Sequence, residues 1–221
     1  MRRAVLALVL ACVVGAVLLT GHSPAGEQGE KNAATLDVAP IATATVAPPI
    51  SPAAARRLGL RAVAALKRDD PALALQLIAA GANVNAKDRI QDSVFLYAAA
   101  EGYLPVVQAA LTHGADVRSL NRFGGTALIP ASEHAHVAVI RALLAAGVPV
   151  DHVNDLGWTA LGEAVGLGNG DTLHVAAVKL LLAAGADPSV RDRFGRSVLE
   201  NAQRLHQTQV ERLIRAALAR K

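Results

Sequence analysis

Apolar residues recur along most of this chain at the three- and four-residue spacing of an amphipathic helix. Leu104, Val106, Val107, Ala110 and Leu111 make one stripe, Val137, Val139, Ile140, Leu143 and Leu144 a second, and Val178, Leu180, Leu181 and Leu182 a third. Each stripe stops at a glycine, Gly114, Gly147 or Gly185, the residue that tolerates the left-handed turn closing a helix. A last stripe, Val210, Leu213, Ile214, Ala217 and Leu218, leaves Arg212, Arg215, Arg220 and Lys221 off its apolar side. Residues 58 to 80 predict an earlier helix pair, with Asp70-Pro71 starting its second helix. Short helices with glycine stops predict an all-α chain.

The stops are periodic. Gly81-Ala82-Asn83, Gly114-Ala115-Asp116, Gly147-Val148-Pro149 and Gly185-Ala186-Asp187 stand 33, 33 and 38 residues apart. A second series keeps step: Gln91-Asp92-Ser93-Val94-Phe95, Gly124-Gly125-Thr126-Ala127-Leu128, Gly157-Trp158-Thr159-Ala160-Leu161 and Gly195-Arg196-Ser197-Val198-Leu199, each followed three residues on by Ala98, Ala131, Ala164 or Ala202. Ser93, Thr126, Thr159 and Ser197 are expected N-caps, whose hydroxyls accept from unpaired helix N–H groups. A unit of about 33 residues cannot bury its apolar face alone and must stack on neighbours.

The pattern resembles the ankyrin repeat family, in which Gly-x-Thr-Pro-Leu-His-x-Ala opens the first helix and Gly-Ala-Asp/Asn closes the second, and within it a group of small exported bacterial members. The Pro and His of that stretch are replaced here, by Val94 and Leu96, Ala127 and Ile129, Ala160 and Gly162, and Val198 and Glu200, so softer hairpin loops are expected. The resemblance implies an all-α repeat solenoid of about five helix-turn-helix units with β-hairpin-like turns. Its units are approximately 53–87, 88–120, 121–153, 154–191 and 192–221, the first and last being caps. Ala131 to Gly147 is 16 residues and Ala164 to Gly185 is 21, which puts five extra residues at Gly166–Asp171, in the turn between the helices of the fourth unit.

The N-terminus is of another kind. Met1-Arg2-Arg3 precedes an uncharged run from Ala4 to Thr20 and then Ser23-Pro24-Ala25, the composition of a signal peptide cleaved after Ala25. Seventeen helical residues would span about 25 Å, short of the roughly 30 Å hydrocarbon core, so cleavage is favoured over a membrane anchor at residues 4–20. Cys12 lies mid-run rather than at its end, against a lipoprotein. The expected location is periplasmic or secreted, with membrane attachment only if the segment stays uncleaved. Cys12 is the only cysteine, so the exported part has no disulfide, Cys-based zinc site or thiol nucleophile. Residues 26–52, with Pro40, Pro48, Pro49 and Pro52, read as a disordered linker.

Charge and chemistry narrow the function. Without Arg2 and Arg3 the chain has 20 basic and 18 acidic residues, a balance unlike that of a nucleic-acid binder. The excess from Arg193 onward reads as a solvated cap with an i,i+4 pair, Glu211 and Arg215. His134 and His136, two apart, are expected to point differently on a helix, and His113 suits a helix C-terminus. Gly166-Leu167-Gly168-Asn169-Gly170-Asp171 lacks the Lys-Ser/Thr and the preceding strand of a phosphate loop. No metal-ligand spacing or nucleophile elbow occurs, so no catalytic residue, metal or cofactor is assigned and the protein is not read as an enzyme. The alternative is a small-ligand or metal-binding protein, a hydrolase among the options, using Glu133, His152, Glu163 and His174, if these converge; a structural spacer is a third reading.

The expected function is an exported scaffold holding a partner protein on a concave face. Carried over from the resemblance, that face comprises Arg89, Ile90 and Asp92; Arg122, Phe123, Glu133 and His134; Asp155, Leu156 and Trp158; Arg193, Phe194 and Arg196. Ile90, Phe123, Leu156 and Phe194 each precede the turn-glycine position, making an apolar row that serves either a partner or the neighbouring turns. Trp158, the only tryptophan, is the candidate anchor.

Overall fold

The structure, a computed structural model, describes residues 50–220; the signal peptide and nearly all of the linker expected before them lie outside the described residues. Ten helices follow in antiparallel pairs: α1 (Pro52–Leu66) with α2 (Pro71–Ala79), α3 (Val94–Ala100) with α4 (Leu104–Thr112), α5 (Leu128–Glu133) with α6 (Val137–Ala145), α7 (Ala160–Gly166) with α8 (Thr172–Ala183), and α9 (Val198–Arg204) with α10 (Thr208–Leu218). Odd-numbered helices stack on one another in one layer and even-numbered helices in a second, as an all-α repeat solenoid requires. The helix pair expected over 58 to 80 begins earlier, at Pro52, because Ser51 caps α1 by accepting from the Ala54 N–H.

The core lies between the layers and runs unbroken along the array. Phe95, Leu128, Leu161, Val106, Ile140, Val178 and Ile214 are fully buried in it. Ala98, Ala131, Ala164 and Ala202 have no exposed surface; their small side chains sit where successive helices of the first layer press together. The glycine stops behave as expected. In α4, α6 and α8 the residue after the glycine donates back into the last helical turn, Ala115 to the Ala110 carbonyl, Val148 to Leu143 and Ala186 to Leu181, while Gly114, Gly147 and Gly185 take φ of +78°, +80° and +91°.

Three of the four expected caps form: Ser93 accepts from Leu96, Thr159 from Gly162 and Ser197 from Glu200, the last in a capping box. Thr126 does not. Its hydroxyl is buried without a partner, and α5 starts one residue late with Ala127 at the N-cap. The cause is Pro130. In the intact units the residue four after the cap donates to the cap carbonyl, as Tyr97 does to Ser93, Glu163 to Thr159 and Asn201 to Ser197. Proline has no N–H, so the Thr126 carbonyl takes the Ile129 N–H instead, at 3.2 Å, and draws it off the Thr126 hydroxyl.

The insertion is divided between loop and helix. The turn before α8 has five residues, Leu167 to Asp171, where those before α4, α6 and α10 have three, and α8 itself runs to 12 residues against the nine of α4 and α6. Asp171 caps this extra helical turn through the His174 N–H, at 2.9 Å.

Candidate binding face

Four tips project from the first layer, and each is built the same way around one Asp or Asn. Asp88 Oδ1 accepts from the N–H groups of Ile90 and Asp92, Asn121 Oδ1 from Phe123 and Gly125, Asn154 Oδ1 from Leu156 and Trp158, and Asp192 Oδ1 from Phe194 and Arg196. A backbone bond closes each tip, from Asp88, Asn121, Asn154 and Asp192 to the carbonyl four residues on. These four residues stand 33, 33 and 38 apart, in the same repeat period as the glycine stops. Side-chain acceptors thus hold the tips where the expected Pro and His are missing.

The apolar row sits on these tips and is open to solvent: Ile90 is 50%, Phe123 44%, Leu156 39% and Phe194 59% exposed. Each of the four therefore keeps a large part of its apolar surface in solvent. The Arg122 guanidinium lies 4.7 Å from the Phe123 ring centroid, and those of Arg193 and Arg196 lie 4.9 and 4.7 Å from that of Phe194. Arg89 and Asp155 are exposed on their own tips, and the Asp155 N–H donates to the Phe123 carbonyl, joining two tips.

Beside the tips runs a groove of about 350 Å³. It is lined by Asp92 on the tip before α3 and by Leu96 and Tyr97 of α3, by Ile129, Pro130 and Glu133 of α5 and His134 just after it, and by Glu163 of α7, with Arg122, Phe123 and Leu156 along its rim. Asp92 is buried, and its carboxylate is paired with Lys67 Nζ at 2.7 Å and Arg122 Nη1 at 3.3 Å. Glu163 is 5% exposed and accepts from Asn154 Nδ2 at 3.0 Å. Burial above all, and then the nearby Glu133 carboxylate, push the Glu163 carboxyl up to about 7, although the Asn154 bond acts the other way.

Trp158 lies outside this groove. Its half-buried ring runs along α7, where a methyl group on Gly166 would come within 2.7 Å of it and one on Gly162 within 3.1 Å. The ring therefore needs the bare backbone of both glycines beneath it.

The quartet Glu133, His152, Glu163 and His174 does not assemble. Glu133 and Glu163 share the groove, but neither histidine lines it. His152 Nε2 donates to the Gly124 carbonyl at 2.6 Å, and His174 Nε2 donates to the Glu133 carbonyl at 3.0 Å. His174 belongs to a recurring tie between units. Tyr103, His136, His174 and Gln207, 33, 38 and 33 residues apart, reach back respectively to the Asp69 carboxylate and to the Ala100, Glu133 and Val165 carbonyls. Gln207 also bonds the Gly168 carbonyl, so the tie holds the inserted loop. The rings of His134 and His136 stack, 5.7 Å apart, rather than diverging as on a helix, because Ala135 between them takes φ of +51° and ends α5. His113 caps its helix by bonding the Ala109 carbonyl at 2.8 Å, and Arg215 Nη2 meets Glu211 at 2.7 Å. Among the described residues no group of three or more His, Cys, Asp or Glu is placed to hold a metal ion, and no helix is long and apolar enough to cross a membrane.

The sequence matches the family described as ankyrin repeats (3 copies) over residues 62–152 and 95–192. The fold is similar to that of a crystallised ankyrin repeat domain from Acinetobacter baumannii AYE, with 51% identity, a TM-score of 0.68 and coverage of 71% of this chain and 80% of that one. It is similar also to a second crystallised ankyrin repeat protein, at 39% identity and a TM-score of 0.65, covering 68% of this chain and 77% of that one. None of the curated proteins matches the sequence.

Proposed function

The chain belongs to the ankyrin repeat family, whose arrays are in general scaffolds for protein–protein interaction, and from that premise we propose that its tips and groove hold a partner protein outside the cytoplasm. The observation that carries this reading is the row of four large apolar side chains left exposed on hydrogen-bonded tips beside a groove. Apolar side chains in a line on a folded array are costly to leave in water and supply the desolvated centre that binding interfaces need. The arginines flanking Phe123 and Phe194 add a polar rim. The groove falls in the size range of ligand pockets, roughly 300–1,000 Å³.

Export rests on residues 1–25. Their basic start, apolar run and small residues at Ser23 and Ala25 support cleavage to give Gly26 as the mature N-terminus. Intact-mass analysis of the native protein checks this, and retention of Met1 would replace a freely exported protein with an anchored one.

Affinity capture from an envelope fraction, followed by mass spectrometry, tests the scaffold. The full chain should retain a defined protein that a Phe123→Asp/Phe194→Asp variant does not, and both proteins should melt alike because those side chains are exposed. Equal capture by the two would remove the tip row from the interface and sink the reading.

A further inference from the structure

The two ends of the groove are balanced differently. At the α3 end Asp92 is answered by two cations of the protein itself, Lys67 and Arg122. At the α7 end Glu163 and Glu133 line the same space, and among the described residues neither carboxylate has a cation within ion-pair distance. Glu163 is the sharper case. It is more than nine-tenths buried, one oxygen takes the Asn154 amide, and the other accepts no hydrogen bond from the described residues. A buried carboxylate without a counter-charge is costly, and a groove that pairs Asp92 but, among the described residues, leaves Glu101, Glu133 and Glu163 without a cation is shaped for a charge brought from outside.

Resting on the reading that this face holds a partner protein, we propose that the α7 end of the groove receives a cationic side chain of that partner, an arginine or lysine, between Glu163 and Glu133. The walls suit such a side chain. Leu96, Ile129 and Leu167 border the space and give apolar surface for the methylene stem, while the carboxylates meet the charged end. The raised proton affinity of Glu163 agrees with this: a carboxyl that holds its proton for want of a cation releases it when one arrives. The ionisable groups around it are Glu133 of α5 and His134 just after it, with Asp92, Glu101 and Arg122 farther along the groove. Cation binding should therefore tighten as pH rises through about 7.

The test is an NMR titration of the ¹⁵N-labelled full chain with three capped tripeptides, Ala-Arg-Ala, Ala-Lys-Ala and Ala-citrulline-Ala, the last matching arginine in shape without its charge. The arginine and lysine peptides should shift the amides of Glu133, His134, Glu163 and Leu167 saturably, in the millimolar range expected of so small a ligand. Binding should weaken about tenfold from pH 8 to pH 6, and about tenfold in Glu163→Gln, which keeps an oxygen for Asn154 but loses the charge. Glu133→Gln serves as a second, independent variant at the more exposed carboxylate. Equal shifts with citrulline, no saturable shift at these residues, or unchanged affinity in both variants would overturn the proposal and leave Glu163 as a protonated hydrogen-bonding group. Its failure is separable from failure of the scaffold. If the peptides fail while the double tip variant still loses its captured protein, only the cation site falls; if that variant retains the protein, the scaffold reading falls whatever the peptides do.

Discussion

Helices α5 and α7 occupy the same place in adjacent units and border the same groove, yet they are held by different means. Leu128 and Leu161 are equivalent and both fully buried, and Ala131 and Ala164 are likewise equivalent, so the apolar side of each helix is anchored alike. The difference lies at the N-terminus and in the residue four positions after the cap threonine. Helix α7 has the Thr159 cap and carries Glu163, tied to its tip through Asn154. Helix α5 has a proline in the position of Glu163, a cap hydroxyl without a partner and only six residues. Packing can therefore hold a helix whose local signals are defective, but the chemistry at the groove depends on which residue fills that fourth position.

The largest test is of the shared anchor. Leu128→Ala and Leu161→Ala should each cost about 2–5 kcal/mol by urea denaturation, and by similar amounts. A much smaller loss at Leu128 would show that α5 is loosely packed as well as poorly capped.

The second effect belongs to Glu163 alone. Because the folded protein holds this proton more tightly than the unfolded chain, the stability it confers is full below about 4.5 and is lost as pH rises through about 7. Relative to Glu163→Gln, the wild type should lose on the order of 3 kcal/mol between pH 4.5 and pH 8. Urea melts of both proteins at the two pH values measure the gap, and a constant gap would mean that the carboxyl is solvated.

Caps give the third comparison, with the same change of shape in both units. Thr159→Val should cost about 1 kcal/mol, whereas Thr126→Val, removing a hydroxyl that bonds nothing, should be neutral or slightly stabilising. Equal losses would show that the Thr126 hydroxyl is bonded in solution.

The smallest effect repairs the weaker helix. Pro130→Ala supplies the missing N–H to the Thr126 carbonyl and frees the Ile129 N–H for the hydroxyl, a gain of about 0.5 kcal/mol after the lost rigidity of proline in the unfolded chain is counted. The gain should vanish when Thr126→Val is also present, since the restored cap needs that oxygen.

Much of the fold could be read from spacing. The 33-residue period, the glycine stops and the apolar stripes placed the helix pairs because helix periodicity and left-handed turns are local requirements, met by residue type alone. The tip row was legible for the same reason, as was the insertion, though not its division between a longer loop and an extra turn of α8. The tip acceptors Asp88, Asn121, Asn154 and Asp192 lay in the same period and were accessible to the same argument.

What the chain order could not decide was which side chains answer one another across units. His152 and His174 were as eligible for a metal as for a backbone carbonyl, and only stacking showed them spent on Gly124 and Glu133. The fate of Thr126 depended on how one missing N–H redirected another, a competition between acceptors that residue type does not settle. The Glu163 environment was decided last and entirely by tertiary structure. Burial, the Asn154 bond and the nearness of Glu133 come from residues 9 and 30 positions away, and a carboxyl's proton affinity follows from the solvent and charges around it, not from its place in the sequence.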